Sequence, residues 1–241
     1  MRIRDSVALV TGANRGLGRA FARALRARGA KTVYAAARDS DTVTDPGVVP
    51  IRLDITDQHQ VAAAAERCSD VTLLVNNAGV LTNSPLLAAA TIDGARAEME
   101  VNYFGTLAMC RAFAPVLAGN GGGAVVNMLS VASWYTNPNL GSYSASKAAA
   151  WALTNGIRVE LRRQGTLVVA VHAGYVDTDM AGGVAAPKIS PDDVAAQTFD
   201  AVEADREEVL ADQRTRDIKA AIPHDLEVLY PGVQQMWDNR I

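Results

Sequence analysis

The chain is 241 residues long and 49% hydrophobic, with a formal net charge of −3. That length and apolar content suit one large α/β domain better than two small ones. The slightly acidic balance supplies no basic field for nucleic acid or an anionic membrane, so neither is an expected partner, and no apolar run approaches the length of a bilayer span.

The first apolar run, "SVALVTG", reads as a strand, and "TGANRGLG" at 11–18 carries it into a helix that starts near Gly16. A helix N-terminus presents unpaired N–H groups and the positive end of its dipole, and glycines let the backbone approach a pyrophosphate. The spacing is G-x-x-x-G-x-G, which differs from the general G-x-G-x-x-G fingerprint; a glycine turn is also an ordinary way to join a strand to a helix. Its place at the first βα turn favours a nucleotide, with Gly12, Asn14, Arg15, Gly16, Leu17 and Gly18 as the candidate residues.

"TVYAAARD" is the second strand, and its end is where a ribose-binding acid would be expected. Ala37 and Arg38 stand there instead. A carboxylate accepts the adenosine 2′-hydroxyl and repels a 2′-phosphate, whereas a guanidinium does the opposite, and Arg15 adds a second positive group. The two arginines point to NADP(H), the alternative being that both are merely solvated.

The remaining apolar runs follow in order: "VVPIRLD", "VTLLVNNAG", "GAVVNMLS" after the turn "GNGGG", "TLVVAVHAG" and the weaker "EEVLAD". Helices are expected from near Asp57, Thr91, Ser142 and Pro191, the last led by "SPDD", where Ser190 can cap and Pro191 can occupy the first turn. Near-continuous apolar strands alternating with helices imply parallel βαβ units covered on both faces. The pattern stops at about Asp212, so 212–241 reads as a C-terminal extension of one domain spanning 1–241. Cys68 and Cys110 lie far apart and fit buried reduced thiols, and His59, His172 and His224 show no ligand spacing, so no structural metal is expected. The N-terminal run has no signal-peptide pattern, and a cytoplasmic location is expected.

"YSASK", Tyr143 to Lys147, lies in an Ala-rich helical segment. A spacing of four puts the phenol and the ammonium on one face, one turn apart. Taken alone, a Y-x-x-x-K pair is commonly a coincidence of two surface residues.

In context it is not alone. "TGANRGLG", "NNAG" at 76–79, Asn102 in "EVNYFG", Ser130 in "NMLS" and "YSASK" stand in one order across one α/β pattern. Together they resemble the short-chain dehydrogenase/reductase family over essentially residues 5–211. The resemblance implies a Rossmann-type doubly wound parallel sheet of about seven strands, a nicotinamide cofactor, and a catalytic set of Asn102, Ser130, Tyr143 and Lys147. In that set Tyr143 is the general acid and Lys147 its electrostatic partner, which also bonds the nicotinamide ribose. A free phenol has a pKa of about 10, and a neighbouring ammonium is expected to lower it. Ser130 would hold the substrate oxygen, although a strand-end serine ordinarily caps a turn. Asn102 would hold a water in the relay to Lys147. Asn76, Ala78 and Gly79 would lie near the adenosine and its ribose. Asp54 would meet the adenine amino group with Ile55 beside the ring, local chemistry alone offering a loop aspartate that caps the helix at Asp57. Gly174, Val176 and Thr178 would line the nicotinamide end.

The departures from the family pattern are confined to the C-terminal third. Ala173 stands where proline is common, which puts the rigidity of that loop in doubt; the lid at 179–190 is short; and "VLADQRT" lacks the glycine pair often found there. Tyr230, Pro231 and Trp237 in the tail suit core packing first, a pocket cover or subunit face otherwise. The expected activity is NADPH-dependent reduction of a ketone or aldehyde, or its reverse, on a small-molecule substrate. A 3-oxoacyl carrier-protein reductase is the alternative, although Arg96, Arg111, Arg158, Arg162 and Arg163 are too scattered in sequence to establish a basic face for an acidic carrier. A non-catalytic NADP(H)-binding regulator would have no use for the proton-transfer groups. The resemblance also implies a homodimer or homotetramer through helices at 97–117 and 145–161, the dimer dominating if the tail masks the other interface.

Overall fold

The computed structural model describes residues 1–239. Seven strands form one all-parallel sheet in the order β3-β2-β1-β4-β5-β6-β7. They are β1 (Val7–Thr11), β2 (Thr32–Ala37), β3 (Val49–Arg52), β4 (Leu73–Asn76), β5 (Gly123–Met128), β6 (Thr166–His172) and β7 (Glu208–Leu210). Each coincides with one of the seven apolar runs. The strands read as unbroken apolar runs because both faces are covered: Ala8 and Val10 of β1 enter one core and Val7 and Leu9 the other.

Helices α1 (Gly16–Ala27) and α6 (Pro191–Glu203) cover the first face, with Phe21 and Phe199 edge to face at 5.7 Å between ring centroids. Against the second face lie α2 (Gln58–Arg67), α4 (Thr106–Gly119) and α5 (Gly141–Glu160), which contribute Val61, Phe113 and Ile157. The long helix expected from Thr91 is divided. It runs as α3 (Asp93–Met99), widens into π-type turns over Glu100–Gly105 and resumes as α4. Such a widening is a common mark of a functional segment, and Asn102 lies inside it. Beyond β7 the extension is helical: α7 (Gln213–Ala221), α8 (Asp225–Val228) and α9 (Tyr230–Asp238). Among the described residues no helix is long and apolar enough to cross a membrane.

The strand order reverses between β1 and β4, so a crevice opens at their C-terminal ends. Two side chains stitch that crevice. The Thr11 hydroxyl accepts the N–H of Asn77 and of Ala78, both at 3.0 Å, and the Asn77 amide donates to the carbonyls of Thr11 (3.0 Å) and Gly12 (3.3 Å).

Candidate functional site

The crevice is the head of a cleft of about 1290 Å³ that runs from the glycine loop to Tyr143. Its head is shaped by missing atoms. Gly12 and Gly16 adopt φ of 64° and 51°, a region costly for other residues, and a Cβ on Gly18 would fall 2.0 Å from the Gly12 carbonyl oxygen. The end of α1 is also bare. No side chain caps it and no acid lies in its first turn, whereas Asp57, Ser190 and Asp212 cap α2, α6 and α7. A helix N-terminus left open beneath a glycine loop is chemically suited to a pyrophosphate, so these residues fit a dinucleotide.

Along the cleft lie Gly12, Asn14, Arg15, Gly16, Leu17, Gly18, Arg38, Asp54, Ile55, Ala78, Gly79, Gly174, Val176 and Thr178. Arg38 is exposed beside Asn14 and Thr42, which are themselves hydrogen-bonded at 3.1 Å. Arg15 is turned another way. Its guanidinium pairs with Asp179 at 3.0 Å across the mouth of the cleft, an exposed pair of small energetic weight. Asp54 does not cap α2, which is the work of Asp57; it accepts from the Thr56 N–H and hydroxyl at 3.0 and 2.8 Å. Ile55 packs against Gly105, where a Cβ would lie 2.7 Å from it.

Asn76 is a correction. Its side chain is buried away from the cleft, its amide donating to Asn127 at 2.9 Å and to the Cys110 sulfur at 3.3 Å, because the residue still belongs to β4 and faces the second core. The neighbour that sequence reasoning passed over, Asn77, does the work at the crevice.

At the other end, α5 presents Tyr143 and Lys147 as the four-residue spacing requires, with the ammonium 5.8 Å from the centre of the phenol ring. Lys147 donates to the Met128 carbonyl at the end of β5 at 2.9 Å, which fastens the helix to the strand. Ser130, two residues on, caps a short turn by accepting the Ala132 N–H at 3.1 Å, and its hydroxyl reaches both Tyr143 and the Ala173 carbonyl. The ordinary capping role and the site role therefore coincide in one side chain.

The phenol's pKa moves opposite to the expected lowering. Burial pushes Tyr143 up to about 12, against a downward pull from the Ser130 hydrogen bond, with Glu98 adding to the rise. Burial likewise brings Lys147 down to about 8. In each of the two, desolvation of the charged form is the leading cause.

Asn102 holds rather than faces the cleft. Its amide accepts the Val80 N–H at 2.9 Å and donates to the Val80 carbonyl (3.0 Å) and Ser146 hydroxyl (2.9 Å). Gly79 separates it from Lys147: a Cβ there would be 3.1 Å from Asn102 Oδ1 and 3.7 Å from Lys147 Nζ.

Three further residues had no signal in sequence. Glu98, 0% exposed, accepts from the Thr82 N–H and hydroxyl (2.7 and 2.8 Å) and the Ser142 hydroxyl (2.5 Å), tying the loop after β4 to the start of α5 beside Tyr143. His172, also wholly buried, stacks on Trp134 at 3.9 Å and has Nδ1 3.2 Å from the Ser130 carbonyl. A carbonyl only accepts, so Nδ1 carries the proton, and burial pulls the ring's pKa down to about 3 and keeps it neutral. Asp212, the cap of α7, accepts the Gly174 N–H at 2.6 Å. The loop that lacks its proline is thus clasped by the tail.

A model of the short chain dehydrogenase family matches residues 6–188. A short chain dehydrogenase from Burkholderia cenocepacia J2315, solved in complex with NADP, is 44% identical with a TM-score of 0.92, over 97% of this chain and 99% of that one. Sorbitol dehydrogenase of Cereibacter sphaeroides is 34% identical, over 92% of this chain and 85% of its own. A 3-oxoacyl-[acyl-carrier-protein] reductase of Synechocystis is 36% identical, over 72% of this chain and 75% of its own.

Proposed function

From the premise that the chain belongs to the short chain dehydrogenase family, oxidoreductases that bind a nicotinamide cofactor and act on CH–OH or C=O groups, we propose that it is an NADPH-dependent reductase of ketones or aldehydes, able to run in reverse on secondary alcohols. The observation that carries this is the convergence of Tyr143, Ser130 and Lys147 at one end of a cleft whose other end holds an open helix N-terminus and Arg38, which is unpaired among the described residues. The relative solved with NADP supports the choice of coenzyme, which Arg38 would read through the 2′-phosphate.

When bound, the dinucleotide supplies or accepts the hydride. Gly12, Asn14, Gly16, Leu17 and Gly18 would hold its pyrophosphate, Asp54, Ile55, Ala78 and Gly79 its adenosine, and Gly174, Val176 and Thr178 its nicotinamide end. The Tyr143 hydroxyl donates its proton to the substrate oxygen, and the Ser130 hydroxyl donates a second hydrogen bond to the same oxygen. Lys147, with one of its three donors on Met128, stabilises the phenolate left on Tyr143 and has donors free for the cofactor's ribose. Asn102 is a positioning residue that fixes Val80 and, through Ser146, the turn of α5 carrying Tyr143.

Reduction needs the protonated phenol and a charged Lys147, so its kcat/KM falls as pH rises through about 8, where Lys147 loses its proton. Oxidation needs the phenolate of a tyrosine held up near 12, so its rate climbs with pH and peaks higher than that of reduction. Coincident profiles, with chemistry limiting, would contradict the assignment. The direct test is NADPH oxidation against ketones, aldehydes, quinones and acyl thioesters. Turnover confined to acyl thioesters would favour the carrier-protein reductase reading; tight coenzyme binding without turnover on any of them would favour a regulator. A cytoplasmic homodimer or homotetramer remains part of this reading, supported by the exposed Phe104 and Val159 on the helices named for the interface.

A further inference from the structure

The reaction as derived leaves Arg214 without a task. It is the second residue of α7, outside the stretch matched by the family model, yet it lines the cleft with Tyr135, Tyr143 and Tyr175. Its guanidinium lies 5.1 Å above the Tyr175 ring. Its stem runs beside Gly174, where a Cβ would be 3.2 Å from Arg214 Cδ. Gly174 follows Ala173, whose carbonyl accepts the Ser130 hydroxyl. The guanidinium therefore belongs to the catalytic end of the cleft.

Two features make it a binding group and not a strut. Among the described residues it makes no ion pair and no hydrogen bond, and its nearest acid in sequence, Asp212, is occupied by Gly174 and Thr215. The acids that line the cleft, Asp39, Asp54 and Asp179, belong to the glycine-loop side, and Asp179 already holds Arg15. The cation–π contact with Tyr175 holds the guanidinium at the cleft without using any of its N–H donors, and a guanidinium with its donors unspent can take a carboxylate through two parallel hydrogen bonds. Tyr135, a neighbour in the cleft, feels the same charge: burial raises its phenol's pKa and Arg214 pulls it back.

Resting on the reductase reading, we propose that the substrate is a carbonyl compound bearing a carboxylate, which Arg214 grips while Tyr143 and Ser130 take the carbonyl oxygen. A phosphate dianion would call for a second cation, and the other one lining this end, Lys147, is buried, holds Met128 and in the reductase reading serves Tyr143 and the coenzyme's ribose.

The experiment is a series of oxo acids with the carbonyl one to four carbons from the carboxylate, each beside its methyl ester, with cyclohexanone as a neutral ketone and dihydroxyacetone phosphate beside dihydroxyacetone. The quantity read is the ratio of kcat/KM for acid over ester, in which general losses cancel. At the preferred length the ratio is about tenfold to a hundredfold in the wild type, the discrimination one charge-assisted contact supports, and close to one in Arg214→Met, with Arg214→Lys between. Esters reduced as well as acids throughout, an Arg214→Met change that lowers both members of a pair equally, or a preference for the phosphorylated ketone would overturn the carboxylate and leave the reductase reading standing. Absence of turnover with acids, esters and neutral ketones alike overturns the reductase reading, and this proposal with it.

Discussion

The two ends of the cleft are made of different material. At the end proposed for the nucleotide the surface is backbone: two glycines with positive φ, a third with no room for a Cβ and a helix end left uncapped. At the end proposed to be catalytic it is side chain, with Tyr143 and Lys147 on one helix, Ser130 just past a strand end and the clasp of Asp212 from the tail. The difference teaches where substitutions will be felt. Backbone surfaces fail by steric intrusion and side-chain surfaces by loss of a group.

The sharpest break is Tyr143→Phe, which removes the proton donor and leaves the nucleotide end intact. Turnover should fall by roughly a hundredfold to ten-thousandfold, the usual worth of general acid catalysis, with coenzyme affinity retained in a titration. Near-wild-type reduction would refute the role given to the phenol.

Gly18→Ala tests the opposite end. Its methyl would meet the Gly12 carbonyl at 2.0 Å, so helix and loop must part. Overpacking of this kind costs about 1 to 3 kcal/mol, and coenzyme affinity should drop together with thermal stability. Unchanged affinity would show that the loop does not hold the pyrophosphate.

Arg38→Ala lies at the nucleotide end but removes a side chain, so it should behave as a catalytic-end change does, by loss of one group. NADPH affinity falls about tenfold to a hundredfold and NADH affinity hardly moves, since only the 2′-phosphate contact is lost. Ala37→Asp should turn preference toward NADH. Equal weakening of both coenzymes by Arg38→Ala would show that it does not read the phosphate.

The mildest is Asp212→Ala, which unclasps Gly174 and uncaps α7. Loss of a cap and of a charged acceptor to a partly buried N–H costs about 1 to 3 kcal/mol in stability, measured by denaturant unfolding. KM for the carbonyl substrate should rise as the loop loosens while Tyr143 stays in place. An unaltered KM would place the rigidity of that loop elsewhere.

These contrasts also sort what could be read from the chain. The seven apolar runs became the seven strands, and the starts at Asp57 and Pro191 became helix ends, because two-faced burial and capping are written in neighbouring residues. The Tyr143 and Lys147 pair was legible for the same reason, a helical spacing of four. The motif places Asn76 at the cleft only if the strand ends before it, and the alternation of faces there depends on which residue is still paired. β4 ends at Asn76, so that side chain enters the core and Asn77 turns to the glycine loop. The rise in the Tyr143 pKa was equally out of reach, since desolvation depends on what covers the phenol and not on the lysine four residues away.

The sequence by itself determined the order of strands and helices, the glycine geometry of the loop and the spacing of Tyr143 and Lys147, all of them local patterns. Only the tertiary structure decided that Glu98 joins Thr82 to Ser142, that His172 lies beneath Ser130, and that Asp212 and Arg214 return 38 and 39 residues after Gly174 and Tyr175 to close the Tyr143 end of the cleft. Such contacts join segments distant along the chain, and their partners are chosen by how the helices pack on the sheet, which no short stretch of residues specifies.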